Sequence, residues 1–270
     1  MVDYYKLDKI LEQGVDYKMP NDRFYIIEKI GTNSTTGAKL TVDGVELGEL
    51  ISTVAPLHKN GNNLLGMLEL GDYFYVIPPS KDFKVEGSSG DKIRIVGKIG
   101  KLSPGEVLPA NYATRFNEQG SKYLTYVSGS VTLAAAGGNW AADAVSEVLS
   151  LTPKTIETYT FSGYVLAELA NPASAPSEGA VALRFKLDGM PLDILTSEPG
   201  HKGIDYYSMP IPTSSSSERE PFSLADMPIV VKGDHTISIE ALNVSGSAIA
   251  ADSGSDMTMT VYAVVEYSKA

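Results

Sequence analysis

A chain of 270 residues, 43% of them hydrophobic, can bury one large β core or two of ordinary size, and is too apolar to be disordered. Its formal net charge of −11 argues against binding to nucleic-acid phosphates, and the absence of cysteine excludes disulfides, thiolate metal sites and a cysteine nucleophile. No run approaches the roughly 18 apolar residues that a membrane span needs.

In chain order, the opening MVDYYKLDKI has no basic stretch leading into an apolar one, so the reading expects no secretory signal and synthesis in a cytoplasm. Leu7, Ile10 and Leu11 share one helical face with Tyr4 nearby, which predicts a short helix over residues 5–13. Lys6 and Lys9 stand against Asp3, Asp8 and Glu12, so this segment is expected to dock on protein rather than on anionic lipid. From residue 23 onward, apolar alternation of period two takes over. RFYIIEKI (23–30), YFYVIPP (73–79) and DKIRIVGKI (91–99) read as strands, rich in Tyr, Val, Ile and Phe between turn-forming clusters. LTVDGVELGEL (40–50) reads as a hairpin turning at Asp43-Gly44, the strongest short turn signal between two strands. KYLTYVSGSVTL (122–133) is expected to close a first half. The small-residue stretch LAAAGGNWAADA (133–144), with a short helical candidate at 140–145, reads as the seam.

The second half then follows the same plan. YTFSGYVLAEL (159–169) precedes FKLDGMPLDIL (185–195), a hairpin at Asp188-Gly189 ending in a short helical turn at 192–195, and HTISIEAL (235–242) and TMTVYAVVEY (258–267) follow. Three matches recur in order. The Asp-Gly hairpins are each followed by Leu three and six places on (Leu47 and Leu50; Leu192 and Leu195). DYFYVIPP (72–79) matches DYYSMPIP (205–212), and GDKIRI (90–95) matches GDHTISI (233–239). The reading is all-β, a tandem duplication of one β-sandwich of about eight strands. Residues 1–133 are assigned to the first jelly roll with an N-terminal arm, 134–145 to a connector, and 146–270 to the second.

Concentrated chemistry is missing. His58 and His201 follow Pro-containing loops and read as exposed, and His235 reads as structural. Serine is plentiful, but no G-x-S-x-G elbow, H-E-x-x-H, Walker loop or G-x-G-x-x-G occurs, and Ser214 to Ser217 read as a polar loop. DSGSD (252–256) lacks the downstream Glu of a calcium loop and reads as a polar tip. The glycan sequons at Asn33 and Asn243 read as accidental, and Trp140 as a core or interface plug. No catalytic, cofactor-binding or metal residue is assigned, and the chain is read as no enzyme.

On these segments the chain resembles the double jelly-roll major capsid proteins of membrane-containing icosahedral viruses, the corticovirus type in particular. YKMPNDRFYIIEKI is similar to that family's opening strand, the two Asp-Gly segments to its strand–turn–strand units, and VVEYS to its last strand. The resemblance implies a structural virion protein, made in the host cytoplasm. It implies a homotrimer, pseudo-hexagonal in outline, that tiles a shell beside neighbouring trimers. Vertex or minor capsid proteins and an internal membrane are further implied partners, and nucleic acid is not. It leaves room for a divalent cation such as calcium between carboxylates of adjacent subunits. The alternative is a two-sandwich binding module, a receptor-binding, decoration or spike protein recognising glycan. A bicupin enzyme would need His and Glu clustered inside a barrel, which three scattered histidines do not furnish.

Overall fold

A computed structural model describes residues 2–58, 66–192, 203–211 and 222–270. The chain divides into two compact units, Met1–Tyr126 with Glu266–Ala270, and Val127–Val265. Residues 134–145 lie within the second.

The first unit opens with β1 (Asp3–Glu12), β2 (Tyr17–Lys18), β3 (Arg23–Thr32), β4 (Lys39–Val42) and β5 (Val45–Glu46). It continues through β6 (Leu68–Glu69), β7 (Tyr75–Ile77), β8 (Asp82–Glu86), β9 (Lys92–Lys101) and the helix α1 (Ala110–Glu118). One sheet runs β1-β9-β3 with β6 and β7 both on the far edge of β3, and the other runs β2-β8-β4-β5. If strands of a jelly roll are lettered B to I along the chain, its two sheets read B-I-D-G and C-H-E-F. The first unit fits both orders, with β1, β9, β3 and β7 as B, I, D and G, and β2, β8, β4 and β5 as C, H, E and F. Period-two alternation explains the packing: Leu7, Leu11, Leu40, Val42, Phe83, Val85, Ile93 and Ile95 are all buried. The stacked rings of Tyr17 and Phe83 and the edge contact of Tyr25 with Phe83 join their number.

The second pattern is built from β10 (Lys122–Ala134), whose residues up to Tyr126 count with the first unit, β11 (Asn139–Trp140), β12 (Val145–Leu151), β13 (Glu157–Phe161) and β14 (Val165–Ala170). Then come β15 (Val181–Leu187), β16 (Met190–Pro191), β17 (Ile204–Asp205), β18 (Ile229–Lys232), β19 (Ile237–Asn243), β20 (Ile249–Ala250) and β21 (Met257–Lys269). Its sheets run β10-β21-β13-β18 and β12-β19-β15-β16, with β11 and β20 as a separate pair. These are B-I-D-G and C-H-E-F again. Strand D is broken into β13, paired with β18, and β14, paired with β21. The core is one cluster that includes Phe161, Leu183, Phe185, Ile237, Ile239, Met257 and Met259. The fold is all-β, two jelly rolls in tandem.

Both Asp-Gly turns fall at the E–F hairpin. Asp43 and Gly44 have φ of 51° and 78°, and Asp188 and Gly189 have 50° and 78°, the left-handed pair that a type I′ turn requires. The other two matches align locally but not by strand. DYFYVIPP and DYYSMPIP both form 3-10 turns (Gly71–Tyr73 and Tyr206–Ser208). The first runs directly into strand G, whereas the second unit's strand G is β18, further along; Pro212 lies outside the described residues. GDKIRI leads into β9, strand I, while GDHTISI leads into β19, strand H. KYLTYVSGSVTL is strand B of the second pattern rather than the close of the first, because a period-two pattern names a strand without naming its neighbours.

Two of the three helix expectations change, and the third falls largely outside the described residues. Residues 5–13 are almost wholly strand β1, held by ten consecutive cross-strand partners on β9. The helical spacing of Leu7 and Leu11 equally suits a strand in which every second residue points inward, with Lys9 between them over the Tyr17 ring. Residues 139–140 are strand β11, and most of 192–195 lies outside the described residues. The helix that does form, α1, covers the outer face of the β1-β9-β3 sheet, where Phe24, Ile26 and Leu102 meet Tyr112, Leu108 and Phe74. A Cβ at Gly100 would lie 2.2 Å from the Phe24 ring, so glycine there lets that ring lie flat on β9.

Candidate functional site

The two histidines among the described residues are both tied into the scaffold. His58 is exposed, its Nδ1 3.0 Å from Arg94 Nη1 on β9. Arg94 in turn donates two hydrogen bonds to Asp8 on β1, 3.0 and 2.9 Å, and holds that carboxyl below its usual range. His235 lies 2.7 Å from Asp188, whose other oxygen accepts from the Thr236 N–H. That backbone bond first, then the imidazole, pull the Asp188 carboxyl down. His201 and Ser214 to Ser217 lie outside the described residues.

His235 has a counterpart that sequence reading missed. In the first unit Asp43 N donates to Asp82 O, and in the second Asp188 N donates to Thr236 O. The residue just before each acceptor reaches back to the turn aspartate: Lys81 Nζ to Asp43 at 2.5 Å, and His235 to Asp188. Each unit thus ties its E–F turn to the start of strand H, through a lysine in one and a histidine in the other. The signal was present in the sequence as Asp-Gly followed by a basic residue some forty places on, but only pairing of E with H gives it meaning.

DSGSD is a structural loop. Asp256 accepts from the Ala136 N–H and Asp252 from the Gly254 N–H, so one oxygen of each carboxylate braces the backbone. Among the described residues no group of three or more His, Cys, Asp or Glu side chains is placed to hold a metal. Asn243 is fully buried and donates to the carbonyls of Trp140, Ala141 and Ser247 while accepting from Ser245. Its amide nitrogen is committed, which closes that sequon in the folded chain. Trp140 belongs to the second unit's core. On β19, burial pushes Glu240 up, yet hydrogen bonds from Lys186 and Arg184 outweigh it and hold the carboxyl low. An open depression is lined by Asp16, Thr41, Gly44, Asp82, Phe83 and Lys84, and Lys84 there is paired with Glu86.

What remains conspicuous is how the sheet edges are treated. On β7, the Gln119 side chain accepts from the Val76 N–H at 2.8 Å and donates to the Val76 carbonyl at 3.0 Å, standing in for a neighbouring strand. Arg115 on α1, also buried, donates to the carbonyls of Phe74, Tyr73 and Lys122. The opposite edge of the same sheet, β1, has β9 as its one ladder partner among the described residues, and its far end is tied at Glu12 to the Tyr17 hydroxyl and at the adjoining Gln13 by a bridge to Val85.

No family model matches the chain, and no curated protein matches it. Among solved structures it is similar to VP54 of PBCV-1, fitted into a reconstruction of the virophage Sputnik (TM-score 0.38, 11% identity, 100% of this chain and 95% of that one). It is likewise similar to the major capsid protein P2 from bacteriophage PM2 (TM-score 0.31, 12% identity, 100% and 97%). A glycoside hydrolase, BuGH86 in complex with neoagarooctaose, is matched at TM-score 0.23 and 10% identity over 92% of this chain and 33% of that one. The jelly-roll assignment stands on strand order and register, independently of these matches.

Proposed function

We propose that this chain is the major shell protein of a virion, acting by self-assembly and not by catalysis. The supporting observation is that one chain carries the B-I-D-G and C-H-E-F order twice, with both E–F turns built alike. Three copies of a duplicated domain present six similar edges, which is what a hexagonally tiled shell requires of its repeating unit. The partners are then two further copies in a homotrimer, neighbouring trimers, and vertex or minor proteins over an internal membrane. The polar side chains described above support this reading, because they brace turns and strands instead of converging on a reaction centre. With a net charge of −11, neighbouring faces repel unless screened by salt or bridged by a cation such as calcium. Negative-stain images of the purified chain test the proposal. Hexagonal plates or shells are expected with salt or calcium present, and elongated single particles under every condition would reject it.

A further inference from the structure

Among the described residues strand β1 has no ladder partner on its outer edge from Tyr4 to Ile10, and its sequence there is complementary to itself. The odd residues bond inward: Gln13, in register with the strand, donates its N–H to Asp91 O on the β9 side. The even residues face away, as Glu12 shows by donating its N–H to the Tyr17 hydroxyl and not to β9. Tyr4, Lys6, Asp8 and Ile10 therefore present their backbone groups to the outside, with Tyr4 47% and Ile10 40% exposed. The edge from Tyr4 to Ile10 invites another strand, whereas the edge at β7 is closed by Gln119.

We propose that β1 pairs antiparallel with β1 of a second copy of this chain across a two-fold axis, with Leu7 opposite the partner's Leu7. The register follows from two conditions. Outward-facing groups must meet, so even residues pair with even ones. Charges must also match. With Leu7 at the axis, Lys6 faces Asp8 of the second copy, Asp8 faces Lys6, and Tyr4 faces Ile10, so the pairs from Tyr4 to Ile10 are complementary. Sliding two residues in total one way sets Lys6 against Lys6, and the other way Asp8 against Asp8, each a like-charge pair at the axis. Lys6 would guard a lone edge, yet here it completes an ion pair. The contact is isologous and separate from the three-fold contacts of the proposed trimer, so it would join trimers to one another.

The absence of cysteine makes the test clean. Lys6→Cys and Asp8→Cys chains, prepared separately and mixed under mild oxidation, should form a disulfide-linked dimer, since a hydrogen-bonded antiparallel pair brings Cα atoms to about 5.5 Å. Each variant alone should give several-fold less. Losing the Asp8–Arg94 pair costs little, because both side chains are part-exposed. A mixture that crosslinks no better than the single variants overturns the register and the proposal. Lys6→Pro gives a second test: it deletes an outward N–H together with the Lys6 charge and leaves the N–H groups bonded to β9 in place. It should abolish two-fold association, and unchanged association would reject the contact. Trimers or shells without mixed crosslinks would sink this inference alone. Crosslinked dimers without trimers would sink the shell reading and keep the contact.

Discussion

Two residues at each hairpin hold the two-unit comparison together. Gly189 has φ of 78° and open space where a Cβ would stand, so a side chain there meets only backbone strain. Gly189→Val is expected to cost roughly 1–2 kcal/mol and to lower the melting temperature, read by calorimetry. An unchanged melting temperature would mean the turn relaxes without penalty. Beside it, Asp188 has its carboxyl pulled below the ordinary value, so it contributes stability above that value and loses it as pH falls through the lowered one. Asp188→Asn keeps a residue that tolerates the left-handed turn but cannot ionise. The melting temperature of the variant should therefore fall less steeply with acidification than that of the parent. Parallel curves from about pH 5 to about pH 2 would contradict this. Asp-Gly was legible in the sequence at this scale because it names its own turn type. The bracing by Lys81 and His235 was not, because it joins residues brought together by strand pairing.

Among the elements, long strands with clean alternation were read correctly and the ends of the chain's first sheet were not. β3, β9, β19 and β21 announce themselves by periodicity. β1 does not, since DYYKLDKILE offers both a helical face and a strand face, and only its partner β9 decides. α1 went unseen because ANYATRFNE is short, and most of its buried contacts are made by a few side chains, Tyr112, Arg115 and the adjoining Gln119. The end of α1 also closes the β7 edge, which gives a prediction at this scale. Gln119→Ala would strip the N–H and carbonyl of buried Val76 of their partners, at a cost of about 1–3 kcal/mol. Chemical denaturation should show the loss, and hydrogen exchange should quicken at Val76. An unaltered exchange rate there would mean that water or a neighbouring group satisfies the strand instead.

At the scale of the whole molecule, the sequence repeats a hairpin because the chain repeats a sandwich. The doubling was visible in order and turn chemistry, while the assignment of each strand to B, I, D or G needed the sheets. Two of the three sequence matches that suggested duplication were alignments of similar turns at different strands. The topology supports duplication on firmer ground, since eight lettered strands recur in one order in each unit. The central claim, that the doubled sandwich is the repeating unit of a shell, is tested most directly by the mass of the purified chain in solution. Multi-angle light scattering at moderate salt should return three chain masses, or larger assemblies built in multiples of three. A mass of one chain at every concentration and ionic strength would contradict the account.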